Sequence, residues 1–328
     1  MSGLDEFSLI ARLFAPLSVR HPGALGLTDD AALIDGPGGR QWALTADAMV
    51  AGVHFLPDDP PDLIARKLVR VNLSDLAAMG AKPFAIMLAS CFPGDVSELW
   101  LECFASGLKT DCETYSIALI GGDTVATPGP LTLALTAIGE LAGESALLRS
   151  NARSGDNIWV SGPIGDAAFG LLVGQGKAPF LRPETAQSLL NRYRLPSPRT
   201  TLGPALISLA HAAMDISDGL VGDLGHICRA SGVGAEISAD KVPLSEAVQT
   251  ALAAGLGDFQ RVLTGGDDYE LLFTAPAGRT ADIKALGRAL DLNPTPIGRI
   301  IDGDAVRVIG TDGRPIALVG GGYRHFGG

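Results

Sequence analysis

Twice in this chain an apolar run ends in two glycines and then an aspartate: "IALIGGDT" at residues 117–124 and "RVLTGGDDYELLF" at residues 261–273. A carboxylate at the edge of a core costs several kcal/mol unless it is paired or bound to a metal. The pattern therefore requires a fold that delivers a partner to each of these edges. Around the two motifs the chain alternates between strand and helix patterns. "AALID" and "QWALTADAMV" are predicted strands around a turn at residues 36–39, and "PDLIARKLVRVNLSDLAAMG" is a helix that opens on prolines and stops at Gly80. "FAIMLAS", "SIALIGGD" and "LTLALTAIGEL" are further strands, with a helix over "VSELWLECFASGLKTDCETY".

Residues 142–155 are polar and glycine-bearing, and the second half restarts with the strand "NIWVSG". Two α/β domains are expected, residues 1–141 and 142–328, and 47% hydrophobic residues suffice for two cores. In the second half "HAAMDIS", "YELLFTAP" and "PTPIGRII" are strands, and "GDAAFGLLVG", "DGLVGDLGHICRAS" and "RTADIKALGRAL" are helices.

The formal net charge of −11 argues against a nucleic-acid backbone as partner. An acidic chain still binds phosphates when metal ions lie between the two sets of charge. The four cysteines form no C-x-x-C pair, which leaves zinc and thioredoxin-type chemistry without support and suits a reducing cytoplasm. The first residues carry acids where a signal peptide is basic, and no apolar run reaches the ~20 residues that span a bilayer, so no membrane partner is expected.

The aspartates cluster at element ends. Asp29 and Asp30 precede the first strand, Asp47 falls late in the second, Asp123 ends another, and Asp215 and Ser217 close "AAMDIS" before Asp218. Asp75 lies inside a helix among Leu73, Leu76, Ala77 and Ala78. Each has an ordinary explanation: Asp218 as a helix cap, Asp29 in a turn, Asp75 paired with Arg70 or Lys67. As a set they mean more. If Asp30, Asp47, Asp75, Asp123 and Asp215 converge, repulsion raises their pKa values unless hard divalent cations intervene, and oxygen ligands with few histidines suit Mg²⁺. Glycine beside such a carboxylate lets the backbone approach a bulky polyanion. No Walker or protein-kinase motif is present, since "GQGKAP" at residues 174–179 fails at its last position.

The strings "LTDDAAL", "LTADAMVAGVHF", "VNLSDLAAMGAKP", "IGGDT", "LLRSNARSGDNIWVSG", "MDISDGLVGDLGHI", "GGDDYELLFT" and "GGYRHF" together resemble the bacterial thiamine-monophosphate kinases, in order and over nearly the whole chain. That family lies within the aminoimidazole ribonucleotide synthetase and selenophosphate synthetase superfamily. The resemblance implies an α+β two-domain enzyme. Its N-terminal mixed-sheet domain dimerises through the sheet, with ATP in the groove at the dimer mate, and a C-terminal α/β domain completes the site. It implies ATP, several Mg²⁺ ions and thiamine monophosphate, converted to ADP and thiamine diphosphate. By motif position Asp30, Thr45, Asp47, Asp75, Asp123, Asp215 and Asp218 would bind metal, with Ala46 through its carbonyl. Gly122, Asp123, Arg149 and Ser217 would contact ATP, and His54, Asp267 and Tyr323 the thiamine phosphate. Ala46 replaces a common Thr or Ser, and Asp267 a common Glu, which leaves Asp268 as an alternative contact. Without the family, His54 is a strand-end histidine and Tyr323 a packing residue.

The nucleophile in such a reaction is a phosphate oxygen, so no general base is expected, and direct transfer without a phosphoenzyme follows. Two rival readings stand beside it: another ATP-dependent enzyme of the superfamily that activates an amide or carbonyl oxygen, and a non-enzymatic divalent-cation-binding protein. The chain lacks the N-terminal Gly-rich Cys motif of the selenophosphate enzymes.

Overall fold

The computed structural model describes residues 6–143, 145–318 and Gly322. Short helical turns α1 (Glu6–Leu9) and α2 (Ala15–Ser18) flank a π-helical turn and lead into β1 (Ala32–Asp35) and β2 (Gln41–Val50). Then follow α3 (Pro61–Ala78), β3 (Lys82–Pro93), α4 (Glu98–Tyr115), β4 (Ala118–Thr127) and β5 (Thr132–Leu141). These strands form one sheet in the order β1-β2-β5-β3-β4, antiparallel except for the parallel β3–β4 pair. Burial alternates residue by residue along β5, so one face packs on α3 and α4 and the other looks outward.

The second half contains β6 (Asn157–Val160), α5 (Asp166–Gly174), α6 (Pro183–Arg194), α7 (Leu202–Leu206), β7 (Ala212–Asp215) and α8 (Leu220–Ser231). It continues with β8 (Gly234–Ser238), α9 (Glu246–Ala253), α10 (Phe259–Thr264), β9 (Leu271–Ala275), α11 (Thr280–Ala289), β10 (Thr295–Ile301) and β11 (Val306–Ile309). Its sheet runs β11-β8-β10-β6-β9-β7, and only the β11–β8 pair is parallel. The second half is thus antiparallel α+β, where strand–helix alternation had suggested α/β. Two other local expectations change. Asp123 does not end its strand, because β4 continues to Thr127, and Asp218 precedes α8 by two residues instead of opening it.

The central feature is α3. Its apolar residues Leu68, Leu73 and Leu76 belong to the first core, whereas Ala77 and Ala78 pack with Leu202 of α7 and with Trp159 and Phe273 of the second sheet. The approach is close. A Cβ on Gly203 of α7 would lie 2.0 Å from the Ala77 carbonyl oxygen. Arg70 of α3 ties the first half together and also reaches across the junction. Arg70 donates to Asp111 of α4 at 2.7 and 3.1 Å and to the Pro196 carbonyl at 3.0 Å.

Gly203→Ala tests this junction. Alanine gains about 1 kcal/mol of helix propensity over glycine, but overpacking costs about 1–3 kcal/mol, so the variant is expected to be less stable. Urea unfolding followed by circular dichroism reads the shift in midpoint.

Candidate active site

A cleft of about 730 Å³ opens where α3 meets the second half. One wall is β2 with the turn after it; the other is formed by α5, residues 217–218 and residues 264–267. Lys67, Val71 and Asp75 line it from α3, four residues apart each time, so the helical repeat places them on one stripe.

Asp75 lines the cleft, and two carboxylates that are not among the lining residues gather on it. Asp30 precedes β1, Asp75 comes from α3 and Asp215 ends β7, and one oxygen of each lies within 4.8 Å of the others. Thr45 donates its hydroxyl to Asp75 Oδ2 at 2.6 Å, and the Asp47 N–H donates to Asn72 Oδ1 at 3.1 Å, which fastens β2 to α3. Neither suggested cation reaches Asp75. Arg70 is held by Asp111, and Lys67 donates to Asp267 instead.

The electrostatics record the crowding. Burial, then the charge of Asp30, lifts Asp215 to about 8. Burial, then Asp30 and Glu6, lifts Asp47 to about 6. Asp75 rises through burial and then through Asp47, Asp215 and Asp30. Burial followed by Asp30 brings Asp29 to about 7. One cation opposes this: Arg149 donates to Asp30 Oδ1 at 2.5 Å, and its backbone N–H reaches Asp29 at 3.3 Å. Asp30 Oδ2 and Asp215 Oδ2 are buried with no hydrogen-bond partner among the described residues, and so is Arg149 Nε. Three carboxylates with one oxygen of each within 4.8 Å of the others, two of them keeping an orphaned oxygen, are all hard donors and fit a divalent cation such as Mg²⁺.

The remaining expected residues separate into groups. Ala46, Asp47, His54, Asp75, Ser217, Asp218 and Asp267 line the cleft. His54 Nδ1 accepts the Val50 N–H at 3.0 Å, which puts the neutral ring's proton on Nε2. Asp267 serves the cleft while Asp268 is committed elsewhere: its carboxylate accepts from Gly165 N and Ala167 N at 2.7 and 3.2 Å, capping α5. Gly122 and Asp123 do not line the cleft. Residues Ala48, Ala134, Ala89 and Asp123 are register neighbours across β2, β5, β3 and β4, so Asp123 stands three strand spacings, about 14 Å, from β2. Tyr323 lies outside the described residues.

The glycine pairs have a reason within the chain itself. A Cβ on Gly122, whose φ is +150°, would meet the Leu88 carbonyl oxygen at 1.8 Å, and one on Gly266 would meet that of Ser217 at 2.2 Å. Sequence reasoning missed Asp223, whose Oδ2 accepts the N–H groups of Ser217, Asp218 and Gly219 at 3.0–3.2 Å and so shapes the loop that presents Ser217. Its place in the first turn of α8, just after a run of candidate ligands, was the available signal.

A two-domain protein with carboxylates gathered between its halves defines a class. The family "AIR synthase related protein, N-terminal domain" matches residues 28–141, and its C-terminal domain counterpart matches residues 153–311. Among curated relatives, the thiamine-monophosphate kinase of Salmonella typhimurium is 43% identical over 324 residues, 98% of each chain, and that of Bacillus subtilis is 34% identical over 328 residues. A solved structure described as AaThiL complexed with AMPPCP and TMP aligns with a TM-score of 0.85 and 31% identity over 98% of this chain and 97% of that one. The thiamine-monophosphate kinase of Stenotrophomonas maltophilia K279a gives a TM-score of 0.78 and 44% identity over 95% of this chain and 98% of that one. The hydrogenase maturation protein HypE of E. coli, at 20% identity and a TM-score of 0.70, shares the fold. The chain belongs to the thiamine-monophosphate kinase family.

The raised carboxylates make stability depend on pH. A group with a raised folded pKa binds its proton more tightly in the folded state, so its stabilising contribution is complete below the unfolded pKa and is lost as pH rises through the folded value. With Asp215 and Asp268 near 8, Asp29 near 7 and Asp47 near 6, the metal-free protein is expected to gain thermal stability as pH falls from about 8 to 6. Added Mg²⁺ should flatten that dependence. Scanning calorimetry across this window, with and without chelator, measures both effects.

Proposed function

We propose that this chain transfers the γ-phosphoryl group of ATP to the phosphate of thiamine monophosphate, giving ADP and thiamine diphosphate. The observation that carries the reading is the convergence of Asp30 and Asp215, each with an orphaned oxygen, on Asp75, which lines the cleft. Close relatives along the full chain bear that activity in their names.

The acceptor oxygen belongs to a phosphate monoester whose second pKa is about 6, so it is largely ionised at neutral pH and needs no base. The obstacle is repulsion. Two unit charges 4 Å apart cost about 1 kcal/mol in water and about 4 kcal/mol at an effective dielectric of 20. Bound Mg²⁺ would neutralise and align the two phosphate groups for in-line transfer. Asp30, Asp47, Asp75, Asp215 and Asp218 would hold it, with the Thr45 hydroxyl and the Ala46 carbonyl. Arg149 has a buried Nε without an acceptor among the described residues, which suits an arriving phosphate of the nucleotide. Asp223 keeps the 217–219 loop in the shape that puts Ser217 and Asp218 at the cleft. His54 and Asp267 line the part of the cleft left for the thiamine phosphate.

Gly122 and Asp123 join the reading through a second copy of the chain. On β4 and neighbouring β3, Leu119, Ile120 and Val125 are 48%, 57% and 46% exposed, and Phe84 and Met87 are 54% and 42% exposed. A homodimer formed through this sheet would cover them and carry Asp123 of one copy toward the nucleotide of the other. None of the described helices is long and apolar enough to cross a membrane, and a cytoplasmic location accords with a thiamine phosphate and ATP as substrates.

The purified protein should release ADP with thiamine monophosphate only when Mg²⁺ is present, read by a coupled assay and by chromatography of thiamine diphosphate. Asp75→Asn and Asp215→Asn should each lower kcat by about 10²–10³-fold or more, the scale of losing one electrostatic contact to the transition state, with the fold retained by circular dichroism. No phosphorylated Asp or His should be recovered from a turnover mixture quenched and examined by mass spectrometry; recovery of one would replace direct transfer by a two-step route.

A further inference from the structure

Lys67 is a buried cation in the wall of the cleft. Its side chain is only 3% exposed, although it comes from the same stripe of α3 as Asp75. A buried ammonium keeps its charge only where protein partners replace its hydration. Lys67 has such partners from separate parts of the chain. Nζ donates to the His54 carbonyl oxygen at 3.0 Å and to Asp267 Oδ2 at 3.0 Å, and it stands 3.9 Å from the centroid of the Tyr193 ring of α6. Asp267 in turn is held in a backbone conformation that side-chain-bearing residues adopt infrequently, with φ at +71°. Its N–H donates to the Ser217 carbonyl at 2.8 Å, its Oδ1 accepts from the Tyr269 hydroxyl at 3.4 Å, and its side chain is 30% exposed at the cleft. The backbone therefore sets where Asp267 starts, and Lys67 sets where its carboxylate ends.

We propose that Lys67 is a positioning residue that fixes Asp267 in one orientation and balances its charge, so that Asp267 can meet the acceptor substrate. This rests on the kinase reading above. The acceptor carries a cationic ring and an anionic phosphate. Around it the cleft also holds Glu6, Asp47, Asp75, Asp218 and, as a second cation, Arg261. Without Lys67, Asp267 adds an uncompensated negative charge close to the acceptor phosphate, and only the longer contact from the Tyr269 hydroxyl still orients its carboxylate. None of Asp30, Asp75 and Asp215 forms an ion pair with Lys67 among the described residues, so the nucleotide end of the site should not sense its loss.

The test uses Lys67→Met, Lys67→Gln, Lys67→Arg, Asp267→Asn and the double variant Lys67→Met/Asp267→Asn, with steady-state kinetics for each substrate. Lys67→Met is expected to raise KM for thiamine monophosphate about tenfold and to leave KM for ATP within about twofold, a split that a general loss of structure would not give. Lys67→Arg should restore part of the loss. Combined with Asp267→Asn, Lys67→Met should add little, because the two side chains act as one unit. Should Lys67→Met fail to fold, Lys67→Gln against Lys67→Arg carries the same comparison. Equal rises in both KM values, an unmoved acceptor KM, or multiplicative effects in the double variant would overturn the assignment. Wild-type protein assayed alongside separates the two claims: no ADP release sinks the kinase reading and this inference with it, whereas normal wild-type turnover with an unmoved acceptor KM in the variants sinks the Lys67 assignment alone.

Discussion

Mutual repulsion among buried carboxylates is the constraint around which this structure is arranged. Asp30, Asp75 and Asp215 bring oxygens within 4.8 Å of one another. Three separate stretches of chain must be held rigidly for that to persist against a Coulomb cost of about 4 kcal/mol per ionised pair at an effective dielectric of 20. The protein meets the cost locally with the Thr45 hydroxyl on Asp75, with Arg149 on Asp30, and with protons that Asp47 and Asp215 retain above the usual carboxylate range. It meets the cost globally by threading one helix through both cores, so that the two halves cannot separate without exposing Ala77, Ala78 and the faces they cover.

Much of this was legible from the residues. The helix over residues 61–78 announced itself through its prolines and terminal glycine, and of the five aspartates expected to converge, Asp30, Asp75 and Asp215 do come together. The pairing of the second sheet was not legible, because a strand–helix–strand pattern is compatible with either direction when connections are long. Helices α6, α7, α9 and α10 and strands β8 and β11 lie outside the sequence reading; all but α6 are 8 residues or shorter, and α6 buries only Leu189 and Tyr193, too thin an apolar stripe to stand out.

Within the site, residue type was readable and allegiance was not. Asp267 and Asp268 are adjacent and chemically identical, yet one lines the cleft and the other caps α5, and only the course of the backbone separates them. Asp75 had two nearby cations in sequence, and both proved to be committed to residues 41 and 200 positions away. The glycine pairs suggest room for a ligand; within the chain, Gly122 and Gly266 also make room for neighbouring carbonyls, which no sequence pattern shows. Asp223 escaped notice because a carboxylate that binds three backbone N–H groups looks in sequence like any surface acid.

The stripe on α3 also bears on how this chain can vary. Lys67 and Asp75 are eight residues apart, and each residue of an α-helix turns by about 100°. Inserting or deleting a single position between them would swing one of the pair out of the cleft while the hydrophobic side chains on either side slid into the wrong core. The residue count of this helix between those two points is therefore fixed; an indel there would disrupt the cleft and the packing together.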